Sequence, residues 1–192
     1  MPHRTRLLLL AAAALCTVAL PGCGDNPFAA RWTAQPDTAL LHSLARPELN
    51  LNSVFDFVSR RPRRLEAPGS TGNWDVAVDT RDGSLVFLGP RAFDIESEAG
   101  IVRFEDMSFE DVREAPSDSA AYSYDTPVPI STGSTYVIQT REARGSFGRF
   151  CFFYGKLEPL EVRVDVGTVR FLYDVNTVCD DRDLVPELRE EG

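Results

Sequence analysis

Apolar and polar residues alternate with a period of two through much of the chain, the pattern of strands that bury one face. The sharpest case is Trp74, Val76 and Val78, interleaved with Asp75, Ala77 and Asp79. Asp82-Gly83 follows within Thr80 to Ser84, and Leu85-Val86-Phe87-Leu88 returns until Gly89-Pro90 ends the run. Asp-Gly between two such runs suits a tight turn with positive φ at both central residues, so a hairpin is predicted. A second pair lies near the end of the chain. Val162, Val164 and Val166 alternate with Glu161, Arg163 and Asp165, Gly167-Thr168 can turn, and Val169, Phe171, Tyr173 and Val175 alternate on the return.

Other segments obey the same logic. Ser53 to Val58 predicts a strand with Phe55 and Phe57 on one face, and Thr135 to Thr140 predicts another. Phe147 to Tyr154, apolar on both faces from Phe150 onward, predicts a central strand buried on both sides. Asp37 to Leu44 stays open between a short helix capped by Asp37 and a strand with Leu40, His42 and Leu44 on one face. The β character of the neighbouring segments favours the strand. Arg60-Arg61-Pro62-Arg63-Arg64 reads as a solvated edge, which proline and charge keep from pairing. Residues 67–72 and 115–134 read as loops, the latter because Pro116, Pro127 and Pro129 discourage helix. Residues 94–118 carry nine acids and two arginines and read as a solvated, mostly extended stretch. Its acidic pairs Glu105-Asp106 and Glu110-Asp111 lack the ligand spacing of a calcium loop. No segment after Leu20 shows sustained helical periodicity, and no internal repeat is visible. The expected fold class is all-β, an antiparallel β-sandwich or similar open β-fold. A single β-rich domain is expected over residues 37–185, with a polar tail at 186–192.

The N-terminus departs from this pattern. Arg4 and Arg6 precede an apolar run from Leu7 to Leu20, about 14 residues or roughly 21 Å of helix, short of the ~20 residues that span a bilayer. It fits the apolar region of a secretory signal. Leu20-Pro21-Gly22-Cys23 resembles the lipobox of bacterial lipoproteins, though Pro21 is an uncommon occupant of its position. The resemblance implies that residues 1–22 are a signal peptide and are cleaved, that Cys23 carries the lipid, and that residues 23–36 form a tether. Gly24 rather than Asp follows Cys23. By analogy with enterobacterial lipoproteins, that implies an envelope protein of the outer membrane, anchored by several acyl chains rather than spanning.

Cleavage takes two of 20 basic residues and none of 29 acidic ones, so the net charge moves from −9 to −11. Such a surface argues against a nucleic-acid partner and against electrostatic docking onto anionic lipid. Cys16 leaves with the signal, Cys23 takes the lipid, and Cys151 and Cys179 remain. In an exported, oxidising compartment these two are expected to form a disulfide.

Several pieces in order resemble the HmuY-type haem-binding lipoproteins. They are the lipobox, Trp74-Asp75-Val76-Ala77, Phe109 to Pro116 running to Asp125-Thr126, Thr135 to Thr140, an aromatic strand, and Gly167 to Tyr173. The resemblance covers residues 73–176 and implies a mostly antiparallel β-structure. The best-known members hold haem iron between two histidines, and others use methionines. After processing this chain has only His42, outside the matching region, and Met107. No ligand pair carries over, so no cofactor, catalytic or metal residues are expected.

Tyr122, Tyr124 or His42 remains available for a single axial bond to iron. Asp180, Asp181 and Asp183 with Asn176 are the one cation-like grouping, read instead as a solvated tail. No nucleophile elbow, phosphate loop or zinc-protease motif is present. The partner classes left open beyond the membrane are a hydrophobic small molecule and an envelope protein.

The lipobox makes one direct prediction. Mass spectrometry of the mature N-terminus should find an acylated Cys23, and Cys23→Ser should abolish acylation. An unmodified N-terminus elsewhere would remove the anchor.

Overall fold

The computed structural model describes residues 30–145 and 148–186, and the chain from Arg31 onward clusters as one unit. The expected signal peptide, Cys23, the first half of the expected tether (residues 23–29), residues 146–147 and residues 187–192 lie outside the described residues. Twelve strands are described: β1 (Asp37–His42), β2 (Val54–Asp56), β3 (Arg61–Arg63), β4 (Val76–Arg81), β5 (Ser84–Leu88), β6 (Gly100–Glu105), β7 (Val128–Pro129), β8 (Ser134–Gln139), β9 (Ala143–Arg144), β10 (Phe150–Cys151), β11 (Tyr154–Arg163) and β12 (Thr168–Asn176). They form two five-stranded antiparallel sheets, ordered β1-β12-β11-β8-β6 and β3-β2-β4-β5-β7, and a two-stranded ribbon β9-β10. The fold is an all-β, sandwich-like structure.

Alternation decides which face each strand buries. Leu41, Tyr136, Leu157 and Phe171 of the first sheet meet Phe55, Val76, Val78 and Phe87 of the second in one core. Phe55 lies at its middle, edge-on to Tyr173, Phe57 and Phe171 at centroid distances of 4.7, 4.9 and 5.5 Å. Such aromatic pairs contribute about 0.5–1.5 kcal/mol each beyond their burial. The expected hairpin is β4–β5, and its turn has Asp82 and Gly83 at φ 49° and 76°. The β11–β12 hairpin turns at Gly167, also with positive φ. Residues 37–42 are a strand, but Leu40 is 44% exposed while Ala39 and Leu41 face the core. Leu40 and His42 therefore share the outer face.

Two smaller clusters cover the outer faces. Val112, Ala115, Tyr122 and Leu184 pack over Val137 and Tyr154 of the first sheet. Trp74, Ala77, Val86 and Leu88 gather on the second. The acidic stretch is thus only partly solvated: it contains β6 and buries Phe109 and Val112. The sole lysine pins it. Lys156 Nζ donates to the carbonyls of Phe109 (2.6 Å) and Val112 (3.0 Å) and lies 4.4 Å from the Phe109 ring centroid. The Phe109 amide in turn donates to Glu158 at 2.7 Å.

The expected strand from Phe147 to Tyr154 is not one element. Phe150 and Cys151 belong to the β9–β10 ribbon, where Phe150 is 54% exposed. The strand lying between two neighbours starts at Tyr154, as β11 between β12 and β8. The apolar run joins two elements across a corner. The second expected strand, 161–166, is likewise only the end of β11. Val164 and Val166 lie beyond it on the hairpin tip, 47% and 39% exposed.

Cys151 and Cys179 form the expected disulfide, 28 residues apart. It holds the segment after β12 against the ribbon. A Cβ on Gly145 would fall 2.1 Å from the Cys179 sulfur, so glycine is needed there for the ribbon to close on the bridge. In the chain-entropy model a loop of this length stabilises by about 3–4 kcal/mol. Denaturant unfolding with and without reductant should show a loss of that size, and non-reducing peptide mapping should recover the linked pair. Free thiols in the unfolded, unreduced protein would contradict it.

Candidate functional site

The residues named as iron ligands do not converge. His42 is half-buried on β1, with its amide on the Asn52 carbonyl at 2.9 Å. Its Nδ1 is buried without a hydrogen-bond partner. Burial, then Arg46, lowers its pKa. Met107 lies just past β6 and borders the cluster around Tyr122. β1 and β6 are opposite edges of one sheet, four strand spacings or roughly 19 Å apart. No haem is held between such groups.

Tyr122 and Tyr124 lie near Met107, but their hydroxyls donate to the Pro116 carbonyl (3.0 Å) and the Ser119 carbonyl (3.2 Å). The Arg91 guanidinium also sits 4.9 Å from the Tyr124 ring centroid. Burial raises the pKa of both phenols. The cation-like grouping is internally spent. Asn176 Nδ2 donates to Asp181 Oδ2 (2.9 Å) and to the Asp183 carbonyl (2.8 Å). Asp180 accepts the Phe152 amide at 3.0 Å. Among the described residues no group of three or more His, Cys, Asp or Glu is placed to hold a metal ion.

Two constellations were not visible in the sequence. The first fixes the segment just before β1. Asp174 accepts the Gln35 amide (2.9 Å) and Arg60 Nη1 (3.0 Å), while Arg60 Nη2 donates to the Gln35 carbonyl. Arg60 is held in turn: φ is 56°, the Tyr173 hydroxyl donates to its carbonyl at 3.1 Å, and its guanidinium is 5.3 Å from the Tyr173 ring centroid. Left-handed backbone is uncommon outside glycine and is retained where surrounding contacts determine it. The expected tether of residues 23–36 is therefore bound to the domain at its last residues.

The second constellation joins the two sheets. Arg141, just after β8, places Nη1 at 3.0 Å from both oxygens of Asp75 and Nη2 at 3.0 Å from Asp56. The Phe57 and Arg141 amides also donate to Asp75, at 2.7 and 2.8 Å. Asp56 further receives Arg63 and the Ser59 hydroxyl and amide. So Arg63, inside the basic run read as a solvated edge, serves a buried carboxylate instead. The two acids differ in balance. Burial works against the Asp56 carboxylate, yet Ser59, Arg141 and Arg63 together hold its pKa below the usual value. Burial dominates at Asp75 and raises it, against the pull of Arg141.

Two clefts open on the surface. One of 340 Å³ is lined by Gly72, Arg91, Glu96, Ser97, Glu98, Arg141, Glu142 and Phe152. Another, of 410 Å³, lies between Arg46, Glu48 and the Val164–Gly167 tip. Both reach the size of ligand sites; the first is mainly polar, and the second mixes Ala45, Pro47, Val164 and Val166 with Ser43, Arg46, Glu48, Thr80 and Asp165. No protein-family model, curated protein or solved structure matches the chain.

Removing one partner of a buried ion pair leaves an uncompensated charge and costs about 3–5 kcal/mol. Arg141→Met should lose that much by denaturant unfolding, whereas Arg61→Gln at the exposed edge should stay within about 0.5 kcal/mol. Asp56 adds a pH signature. Its folded pKa is depressed, so its contribution is present above the ordinary Asp value and is lost as pH falls through the folded one.

Proposed function

We propose that this chain is a lipid-anchored protein of the bacterial envelope whose β-domain is a non-enzymatic binding module that meets its partner through its outer surface. The observation carrying this reading is the hold of Arg60 and Asp174 on Gln35. A segment running from an acylated Cys23 enters the domain at one defined point, as suits a module held beside a membrane. The interior supports the same reading, because the space between the sheets is filled by side chains from Leu41 to Val175.

The surface favours a protein partner over a small hydrophobic ligand. Leu40, Leu160, Val164 and Val166 are exposed on β1, β11 and the β11–β12 tip. The ancestry suggested by the HmuY-like segment order is compatible with this reading, with the fold kept and the haem-carrying role absent. The second reading, capture of a hydrophobic compound on that ancestral plan, rests on the segment order alone.

Haemin titration of the purified mature protein, followed by absorbance, separates the two. The proposal expects weak binding or none, and no low-spin bis-histidine spectrum. A saturable, tight, low-spin complex of the monomer would restore the haem-carrier reading.

A further inference from the structure

The segment after β12, residues 177–184, is a strap that ties three parts of the domain together. Its start is bound to the end of β12, where Asn176 Oδ1 accepts the Val178 amide at 2.8 Å. Its middle is bound to the β9–β10 ribbon, Cys179 by the disulfide and the Asp180 amide by the Phe152 carbonyl at 2.9 Å. Its end pairs with the chain lying over the first sheet. There the Leu184 amide donates to the Arg113 carbonyl at 2.8 Å, and the Ala115 amide to the Arg182 carbonyl at 2.9 Å. Leu184 is the only buried side chain of residues 177–184, and it packs with Val112, Ala115, Tyr122, Val137 and Tyr154. Apart from the sulfur bridge, the strap is thus held mainly by hydrogen bonds, each of small net worth against water. No described strand follows it, so its release breaks no pairing within either sheet. The covering chain is pinned separately further back. Lys156 holds the Phe109 and Val112 carbonyls, Glu158 the Phe109 amide, and Thr135 Oγ1 donates to the Met107 carbonyl at 2.9 Å.

We infer that the Cys151–Cys179 disulfide is a redox latch, whose reduction frees the strap and bares the apolar surface around Tyr122 and Tyr154 while both sheets stay folded. The inference stands apart from the reading of Cys23 as an anchor. The reductant is a dithiol, the class that exchanges with disulfides through a mixed intermediate. Cys151 is buried at 2% exposure and Cys179 is half-buried, so the entering thiolate attacks the Cys179 sulfur. The S–S bond breaks toward Cys151, whose thiolate leaves and takes up a proton. The second thiol of the reductant then attacks the reductant's own sulfur in the mixed disulfide and displaces Cys179, which is protonated in turn. Two electrons and two protons pass to the protein, and the reductant closes as a disulfide. In the oxidised chain the bridge closes a 28-residue separation and confines Cys179 to the ribbon. In the reduced chain the strap opens as a segment with few buried contacts, the kind that opens locally ahead of the core. Leu184 leaves with it and takes the cover off Tyr122 and Tyr154, whereas Phe109 stays held by Lys156 and Glu158.

The test is amide hydrogen exchange of the mature protein with and without dithiothreitol. Reduction should speed exchange about tenfold or more at Asp180, Leu184 and Ala115, the amides bonded to or from the strap. The Phe109 amide and the amides of β8, β11 and β12 should keep their protection. Fluorescence of anilinonaphthalene sulfonate, which binds bared apolar surface, should rise on reduction. The double variant Cys151→Ser, Cys179→Ser should show both effects without reductant. Unchanged exchange at the three strap amides overturns the latch, as does a bridge that dithiothreitol leaves intact in the folded protein. Loss of protection throughout the sheets, or a double variant that does not fold, makes the bridge a structural staple and overturns the latch equally. Faster strap exchange with no gain in dye fluorescence overturns the bared surface, and the inference with it.

Discussion

Arg141 holds the two sheets to one another electrostatically. Asp56 ends β2 and Asp75 precedes β4, both in one sheet, and both are nearly or fully buried at 1% and 0% exposure. Arg141 comes just after β8 in the other sheet. A buried carboxylate survives only when paired and hydrogen-bonded. The sandwich can therefore close in this register only if Arg141 arrives between the two acids. The core around Phe55 supplies the non-directional attraction, and the Arg141 fork supplies direction. The same cluster sets the course of the chain from β2 to β3, because the Phe57 amide rests on Asp75 while Ser59 and Arg63 rest on Asp56. Arg60 leaves that turn aimed at Gln35, so the hold on Gln35 depends on the sheet-joining cluster beneath it.

Much of the fold was legible because its signals are local. Asp82-Gly83 fixes a turn by backbone sterics, and the alternation of Val169, Phe171, Tyr173 and Val175 names the core face of β12 directly. The disulfide was legible for another reason, since two cysteines remain once the signal and lipid positions are assigned. What failed was also physical. Phe150 to Tyr154 looked like one strand because apolar runs do not mark a corner. β11 was read too late because Gly155, Lys156 and Pro159 resemble a break. In the folded chain the buried Lys156 ammonium donates to two backbone carbonyls, and the strand shifts register between Pro159 and Glu161.

The candidate site was legible only in part. The scarcity of histidine and methionine already argued against a haem pair, and placing His42 and Met107 at opposite sheet edges gives that argument a distance. The contacts that matter most join residues far apart in the chain. Arg141 meets Asp56 across 85 positions and Asp75 across 66, and Gln35 meets Asp174 across 139. No local pattern announces such pairs, and an arginine run beside a proline gives no sign that two of its members face inward. The exposure of Val164 and Val166 was hidden by the same rule that served elsewhere, since alternating valines read as strand whether or not a second sheet covers them.

The central claim is that the segment leading from the proposed anchor is held at one defined point by Arg60 and Asp174. Amide hydrogen exchange at Gln35 in the mature protein tests it most directly. The account predicts a Gln35 amide that exchanges about tenfold or more slowly than an unstructured amide, because a hydrogen-bonded amide must open before it exchanges. That protection should vanish in Arg60→Ala while the amides of β11 and β12 keep theirs. A Gln35 amide that exchanges at the unstructured rate in the unaltered protein would contradict the account.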